Sequence, residues 1–175
     1  SRNGILTPVG DVEPVELSGA MISRVTLHNY GMVAANNLKS GDLIEIIRSG
    51  EVIPKFLSVV TPSNNKFVIP DCCTSCGSKV EIVDIRLFCK NEDCPGKNKE
   101  IILNFIQKIG IDDLSGKRLD ELLNAKLVKN IPDLYRLEAS DLMKLDKVKD
   151  KLSNKLIESI QKTKTVDLIT FLASL

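Results

Sequence analysis

The sequence predicts a multidomain α+β chain: a small β-barrel, a metal-binding cysteine segment and an all-helical tail. Three observations carry that class. Residues 5–60 hold short apolar runs broken by Gly, Pro and Asn, the pattern of short strands. All five cysteines fall within CCTSCGSKVEIVDIRLFCKNEDC, residues 72–94. From Lys97 onward the apolar spacing shifts to the helical period of about 3.6.

The chain of 175 residues is 43% hydrophobic and 27% charged, enough for one core or two small ones. Aromatic residues make up 4% and Trp is absent, so the cores must be aliphatic. A net charge of +1 argues neither for nor against nucleic acid. Its distribution is uneven: residues 1–96 carry 9 basic and 11 acidic side chains, residues 97–175 carry 15 and 12. The second half is therefore the better candidate for touching phosphate. No signal peptide is visible in SRNGILTPVGD, and no run approaches the ~18 apolar residues of a spanning helix. A soluble intracellular protein is expected, where clustered cysteines point to metal rather than disulfides.

Within residues 5–60, GILTPV, PVELSGAMISRVTL and DLIEIIRSGEVIPKFLSVV read as strands. The last looks like two strands joined at Ser49-Gly50, where Gly can take positive φ. Only VTLHNYGMVAANNL leans helical, and short strands with one helix suit a small barrel. Residues 60–71, polar and Pro-flanked, read as a linker. In the tail, NKEIILNFIQKI places Ile101, Ile102, Phe105 and Ile109 on one face, and Leu119, Leu122, Leu123 and Leu127 repeat the pattern. Ser140 or Asp141, Ser153 and Asp167 are candidate caps of helices about 10–12 residues long.

Cys73-x2-Cys76 is a knuckle, in which a tight turn aims two thiolates at one point and Gly77 permits the turn. Cys89-x4-Cys94 is a looser pair, and the twelve residues between the pairs alternate as a hairpin would. Together they suit a structural four-cysteine zinc site with Zn–S bonds of about 2.3 Å and no open position for water. In so small a segment the metal is also folding energy. Cys73, Cys76, Cys89 and Cys94 are the expected ligands, with Cys72 spare because x2 suits a knuckle better than x3. An iron–sulfur cluster is the minor alternative. Spacing alone does not name a partner.

RNGILTPVGDVEPVELSGAMISRVTLHN followed by GDLIEIIRSGEVIPKFLSVV resembles the oligonucleotide-binding (OB) domain of bacterial-type NAD+-dependent DNA ligases. CTSCGS…FCKNEDCPGKNKE resembles the four-cysteine zinc finger that follows it in that family, and the tail resembles the start of the family's helix-hairpin-helix domain. LTPV, TLHN, SGEVIP and the cysteine spacing are the most specific pieces. The resemblance implies an OB domain over 1–70, a zinc finger over 71–96 and a partial helix-hairpin-helix domain over 97–175. It implies an enzyme that seals nicks in duplex DNA, joining a 3′-hydroxyl to a 5′-phosphate, with NAD+ as AMP donor and magnesium assisting. The family's adenylated lysine lies in KxDG, which this sequence lacks. The chain is expected to be a non-catalytic, DNA-binding fragment, inactive alone and partnered by an upstream adenylation domain of the same polypeptide. Nicked double-stranded DNA is the expected partner, with no membrane, a monomeric state and a cytoplasmic, nucleoid-associated location.

Residue by residue, the resemblance places DNA contacts on Arg2, Asn3, Arg48, Val52 and Ile53. Arg2 and Arg48 offer planar donor sets to phosphate or sugar oxygens. Val52 and Ile53 would rest on sugars or base edges; being consecutive, only one can face a core in a regular strand. Asn3 and Glu51 replace the family's usual Thr and Asp. His28 in TLHN reads as a hydrogen-bonded fold element. In the tail, the family's G-x-G hairpin turns fall on Asp113/Ser115 and Lys147/Lys149, with Gly116 one position out. Losing Gly removes easy access to positive φ, so weaker hairpin binding than the family norm is expected. Lys117, Lys147, Lys149 and Lys151 could supply point charges to phosphate instead. The competing readings are a stand-alone OB/zinc nucleic-acid-binding protein and a purely structural interaction module.

Overall fold

The computed structural model describes residues 1–17, 19–49, 53–146 and 148–175, with backbone alone for Arg48, Ser49 and Ile53. Contacts gather the chain into two compact units, Asn3–Glu92 with Ser1 and Asp93–Leu175 with Arg2.

The first unit is built on a curled sheet of β2 (Val9–Leu17), β3 (Ala20–Thr26), β4 (Leu43–Ser49) and β5 (Ile53–Thr61), in the order β2-β3-β5-β4. β2 pairs antiparallel with β3 and β4 with β5, while Thr26 and Lys55 join β3 to β5 in parallel. Alternation decides the faces. Val25, Leu27, Val33, Leu38 and Phe56 form the buried core, with Val12, Met32, Ile44, Ile46 and Val59 packed on it. The core is aliphatic but for Phe56, as the composition requires. The predicted strand pair over 43–61 is present up to Ser49↔Ile53; Gly50, where the turn was expected, lies outside the described residues.

The helix expected over 25–38 is shorter, α1 at Tyr30–Ala35. Val25 belongs to the sheet core, and Leu27 donates its N–H to Pro8 O at 3.2 Å. Asn29 then caps the helix, its Oδ1 accepting from Met32 N at 2.8 Å. His28 bridges strand and cap at φ +56, its N–H donating to Thr26 Oγ1. LTPV and TLHN are thus two sides of one corner, with Val9 opposite Thr26.

The sequence places GILTPV with the barrel, but its strand β1 (Ile5–Leu6) pairs elsewhere. Ile5 sits opposite Phe88 and Leu6 opposite Leu87, in a sheet ordered β1-β7-β6 with β6 (Val80–Val83) and β7 (Arg86–Cys89). The physical reason is burial: Leu87 is buried and β1 continues its sheet on that side. The tip of the β6–β7 hairpin also reaches α1, where Gly31 N–H donates to Ile85 O at 3.0 Å.

The polar stretch after β5 has no regular structure, yet it is tied down. Asp42 accepts from Lys39 N and from Ser63 N, each at 2.7 Å. Lys39 Nζ donates to Ser63 O at 2.8 Å, and Ser63 Oγ and Asn65 Nδ2 both donate to Ser40 O. These bonds hold the Asp42 carboxyl below its ordinary value, the Ser63 backbone N–H being the largest cause.

The second unit is helical: α2 (Pro95–Ile109), α3 (Gly116–Asn124), α4 (Ile131–Leu134), α5 (Ala139–Leu142), α6 (Asp150–Lys162) and α7 (Leu168–Ser174). Their lengths run from four residues to fifteen rather than a uniform 10–12. Ile102, Phe105, Ile106 and Ile109 face the core, whereas Ile101 is exposed. Three of the four residues expected on this face, Ile102, Phe105 and Ile109, are buried, and Ile106 takes the place expected of Ile101 because the adjacent Ile101 and Ile102 cannot both face the core. Leu119 and Leu122 are buried, with Leu123 and Leu127 packed at the margin. Asp167 caps α7, accepting from Thr170 N at 2.9 Å, and Asp141 accepts from Glu138 N at the start of α5. Ser153 is not a cap: it is buried inside α6 and its hydroxyl donates back to Asp150 O.

Candidate metal centre and nucleic-acid interface

Cys73 and Cys76 sit on a tight turn. Gly77 N–H donates to Cys73 O and Cys73 N–H to Ser78 O, both at 2.8 Å, with Gly77 at φ +71. That left-handed φ is why Gly stands there. Cys89 ends β7 and Cys94 immediately precedes α2, whose first residue is Pro95. The Sγ atoms of Cys73, Cys76, Cys89 and Cys94 all lie within 4.8 Å of one another. Three of the four are buried and Cys76 is half-buried. Cys76 and Cys89 sulfurs are 3.6 Å apart, close to the ~3.8 Å edge of a tetrahedron with 2.3 Å Zn–S bonds. Hydrogen bonds from Ser78 are the main cause holding the Cys76 thiol down to about 6, which favours the thiolate that a metal needs. The donor set therefore fits a metal ion such as zinc.

Cys72 is exposed and stands apart from this group, bridged through its backbone to Lys79. The neighbouring Asp71 charge pushes its thiol up.

Arg2 and Asn3 are exposed at the apex of a turn closed by Gly4 N–H to Ser1 O at 3.0 Å, with Gly4 at φ +78. The far side of that turn is fastened to the cysteine sheet: Cys89 N–H donates to Gly4 O at 2.8 Å. Arg48 stands opposite Pro54 and Ser49 opposite Ile53, so the backbones of Arg48 and Ile53 meet at one end of the β4–β5 ladder. Val52 lies outside the described residues, as does Lys147.

Lys117 is exposed in the first turn of α3; Lys149 and Lys151 are exposed at the start of α6. The first hairpin corrects one expectation. Asp113 holds φ +62 without being Gly, a conformation that Asp tolerates better than most residues. Its carbonyl accepts from Arg118, and its carboxylate pairs with Lys155 of α6 at 2.6 Å. The Lys155 hydrogen bond and charge hold the Asp113 carboxyl below its ordinary value. Asp112 N–H adds a 2.9 Å bond to Ser159 Oγ. This latch joins residues far apart in sequence and had no local signal. The sequence reading likewise missed the Gly4–Cys89 and Gly31–Ile85 contacts.

Among the described residues no helix is long and apolar enough to cross a membrane. Comparison with known proteins agrees with the motifs. Residues 1–67 match the NAD-dependent DNA ligase OB-fold domain. The chain is 40% identical over 169 residues to the DNA ligase of Helicobacter pylori (strain G27), covering 93% of this chain and 26% of that protein. It is 36% identical over 180 residues to the DNA ligase of Wolinella succinogenes, covering 99% and 28%. The chain thus spans about a quarter of the length of these relatives.

Proposed function

The matched lengths fit a fragment of an NAD+-dependent DNA ligase, and from that premise we propose that this chain is the DNA-handling, non-catalytic part of such an enzyme. The observation that supports it most is the 40% identity running through 93% of the chain, barrel, cysteines and helices together. In this reading the whole enzyme seals nicks in duplex DNA, with NAD+ as AMP donor and magnesium at the phosphates. The adenylated lysine is supplied by an upstream domain, so this chain alone is inactive.

The chain's own residues bind and orient the duplex. Arg2 and Arg48 donate to backbone phosphate or sugar oxygens, while Val52 and Ile53 rest against sugars or base edges. Such contacts carry no sequence code, which suits an enzyme that seals any nick. Cys73, Cys76, Cys89 and Cys94 hold zinc, which when bound supplies a rigid cross-link. The helical unit acts as a helix-hairpin-helix element in which Lys117, Lys147, Lys149 and Lys151 add point charges. Hairpin 1 contributes least, because its Asp113 carboxylate repels phosphate and already occupies Lys155.

The test is a titration of nicked duplex with the zinc-loaded chain at several salt concentrations. Each phosphate-contacting cation contributes about 0.9 to the slope of log affinity against log salt. Binding that weakens with salt supports the proposal. Absence of binding at low salt favours a structural interaction module.

A further inference from the structure

We infer that the metal centre positions the Arg2–Asn3 turn for DNA through the backbone of one metal-ligating residue, Cys89. This rests on the functional reading above and deepens it by coupling two sites that the sequence keeps far apart. Cys89 belongs to the four-thiol group through its Sγ. Its N–H donates to Gly4 O at 2.8 Å. The two residues before it, Leu87 and Phe88, pair with Leu6 and Ile5. Gly4 in turn closes the turn on Ser1 O, with Arg2 and Asn3 exposed between them.

Neither partner in this chain of contacts is stable by itself. β1 has two residues and two register pairs, far below the length of an independent strand. β7 has four residues in a small hairpin, a segment whose folding depends on metal. Arg48 is held differently. Its strand pairs with β5 along the whole ladder from Leu43↔Thr61 to Ser49↔Ile53. Among the described residues, the barrel core of Val25, Leu27, Val33, Leu38 and Phe56 contains no residue of the cysteine segment. Loss of metal should therefore release Arg2 and leave Arg48 in place.

The experiment is a cycle of metal and mutation on the whole chain, with nicked duplex and a salt series. Wild type, Arg2→Ala and Arg48→Ala are each measured zinc-loaded and zinc-stripped. With zinc, Arg2→Ala should weaken binding and lower the salt slope by about 0.9. Without zinc, wild type should show that same lower slope and Arg2→Ala should change nothing more, while Arg48→Ala still weakens binding. An Arg2→Ala effect equal in both states overturns the inference, since independent sites add.

Peptide-level hydrogen exchange supplies a readout apart from DNA. Residues 1–8 and 86–90 should lose protection on stripping while residues 22–27 and 55–60 keep it; protection of 1–8 indifferent to zinc overturns the coupling. If stripping unfolds the entire chain, Gly4→Ala replaces it. Gly4 sits at φ +78, where a side chain is strained, so the variant should lose the Arg2 slope contribution and, because coupling is reciprocal, bind zinc more weakly than wild type. An unchanged zinc affinity overturns the inference. A zinc-loaded wild type that binds no duplex at low salt defeats the functional reading instead, and exchange alone then decides the coupling.

Discussion

Gly31→Ala should destabilise the first unit, although the same change stabilises most helices. Gly31 lies in α1 without positive φ, where Ala is ordinarily favoured by about 1 kcal/mol. Here a Cβ would stand 2.6 Å from Ile85 Cβ, 2.7 Å from its Cγ2 and 3.1 Å from its Cα. Carbon atoms rest about 3.5–4.0 Å apart, so roughly 1 Å of displacement is needed. Turning the Ile85 side chain does not help, because its Cβ and Cα do not move with χ1. The hairpin tip must back away from the helix, which also stretches the 3.0 Å bond from Gly31 N–H to Ile85 O. Overpacking of this kind costs about 1–3 kcal/mol and the hydrogen bond about 1 kcal/mol. Against the helix gain the net loss is about 1–3 kcal/mol. Urea unfolding of the zinc-loaded chain measures it as a lower midpoint at unchanged slope. Combining Gly31→Ala with Ile85→Gly should recover most of the loss, because the obstructing Cβ and Cγ2 are gone. A single variant as stable as wild type, or about 1 kcal/mol more stable, would refute the close approach of hairpin and helix.

Cys89→Ser should lose the metal, whereas Cys72→Ser should retain one zinc per chain by elemental analysis; loss of zinc from Cys72→Ser would move the ligand set. Asp42 titrates below its ordinary value in the fold, so its contribution is complete above the unfolded carboxylate value near 4 and is lost as pH falls through the folded value. Asp42→Asn should flatten that acid limb of the stability curve, as followed by thermal unfolding between about pH 2 and 5. Arg48→Ala in the full enzyme should slow nick sealing in a gel assay while far-UV circular dichroism stays the same, and unchanged sealing would remove Arg48 from the interface. Phe105→Ala should cost the helical unit about 3–5 kcal/mol, because Phe105 is fully buried and meets Tyr135 edge-on at 6.3 Å.

What was legible in the sequence was local. The knuckle at Cys73 and Cys76 needs only a short turn and a Gly, and both stand within five residues. The β4–β5 pair announces itself by alternation, and the Leu119 and Leu122 stripe by its period. The phase of α2 was harder, since Ile101 and Ile102 fit a face equally well until the other helices select Ile102 and Ile106. Nothing near Ile5 shows that it will pair with Phe88, because that choice depends on which sheet edge the folded cysteine segment leaves open. Asp113 at positive φ is similar: a local rule favours Gly there, and ties to Lys155 and Arg118 hold Asp in that conformation. The polar stretch after β5 reads as a linker in the sequence because its bonds to Asp42 and Ser40 cross twenty or so residues.

The most direct test is the salt-dependent titration of nicked duplex with the intact zinc-loaded chain. The proposed function predicts binding at low salt that falls linearly in log affinity against log salt, with a slope that drops by about 0.9 in Arg48→Ala. A chain that ignores nicked duplex at low salt, or binds it with no dependence on salt, would contradict it.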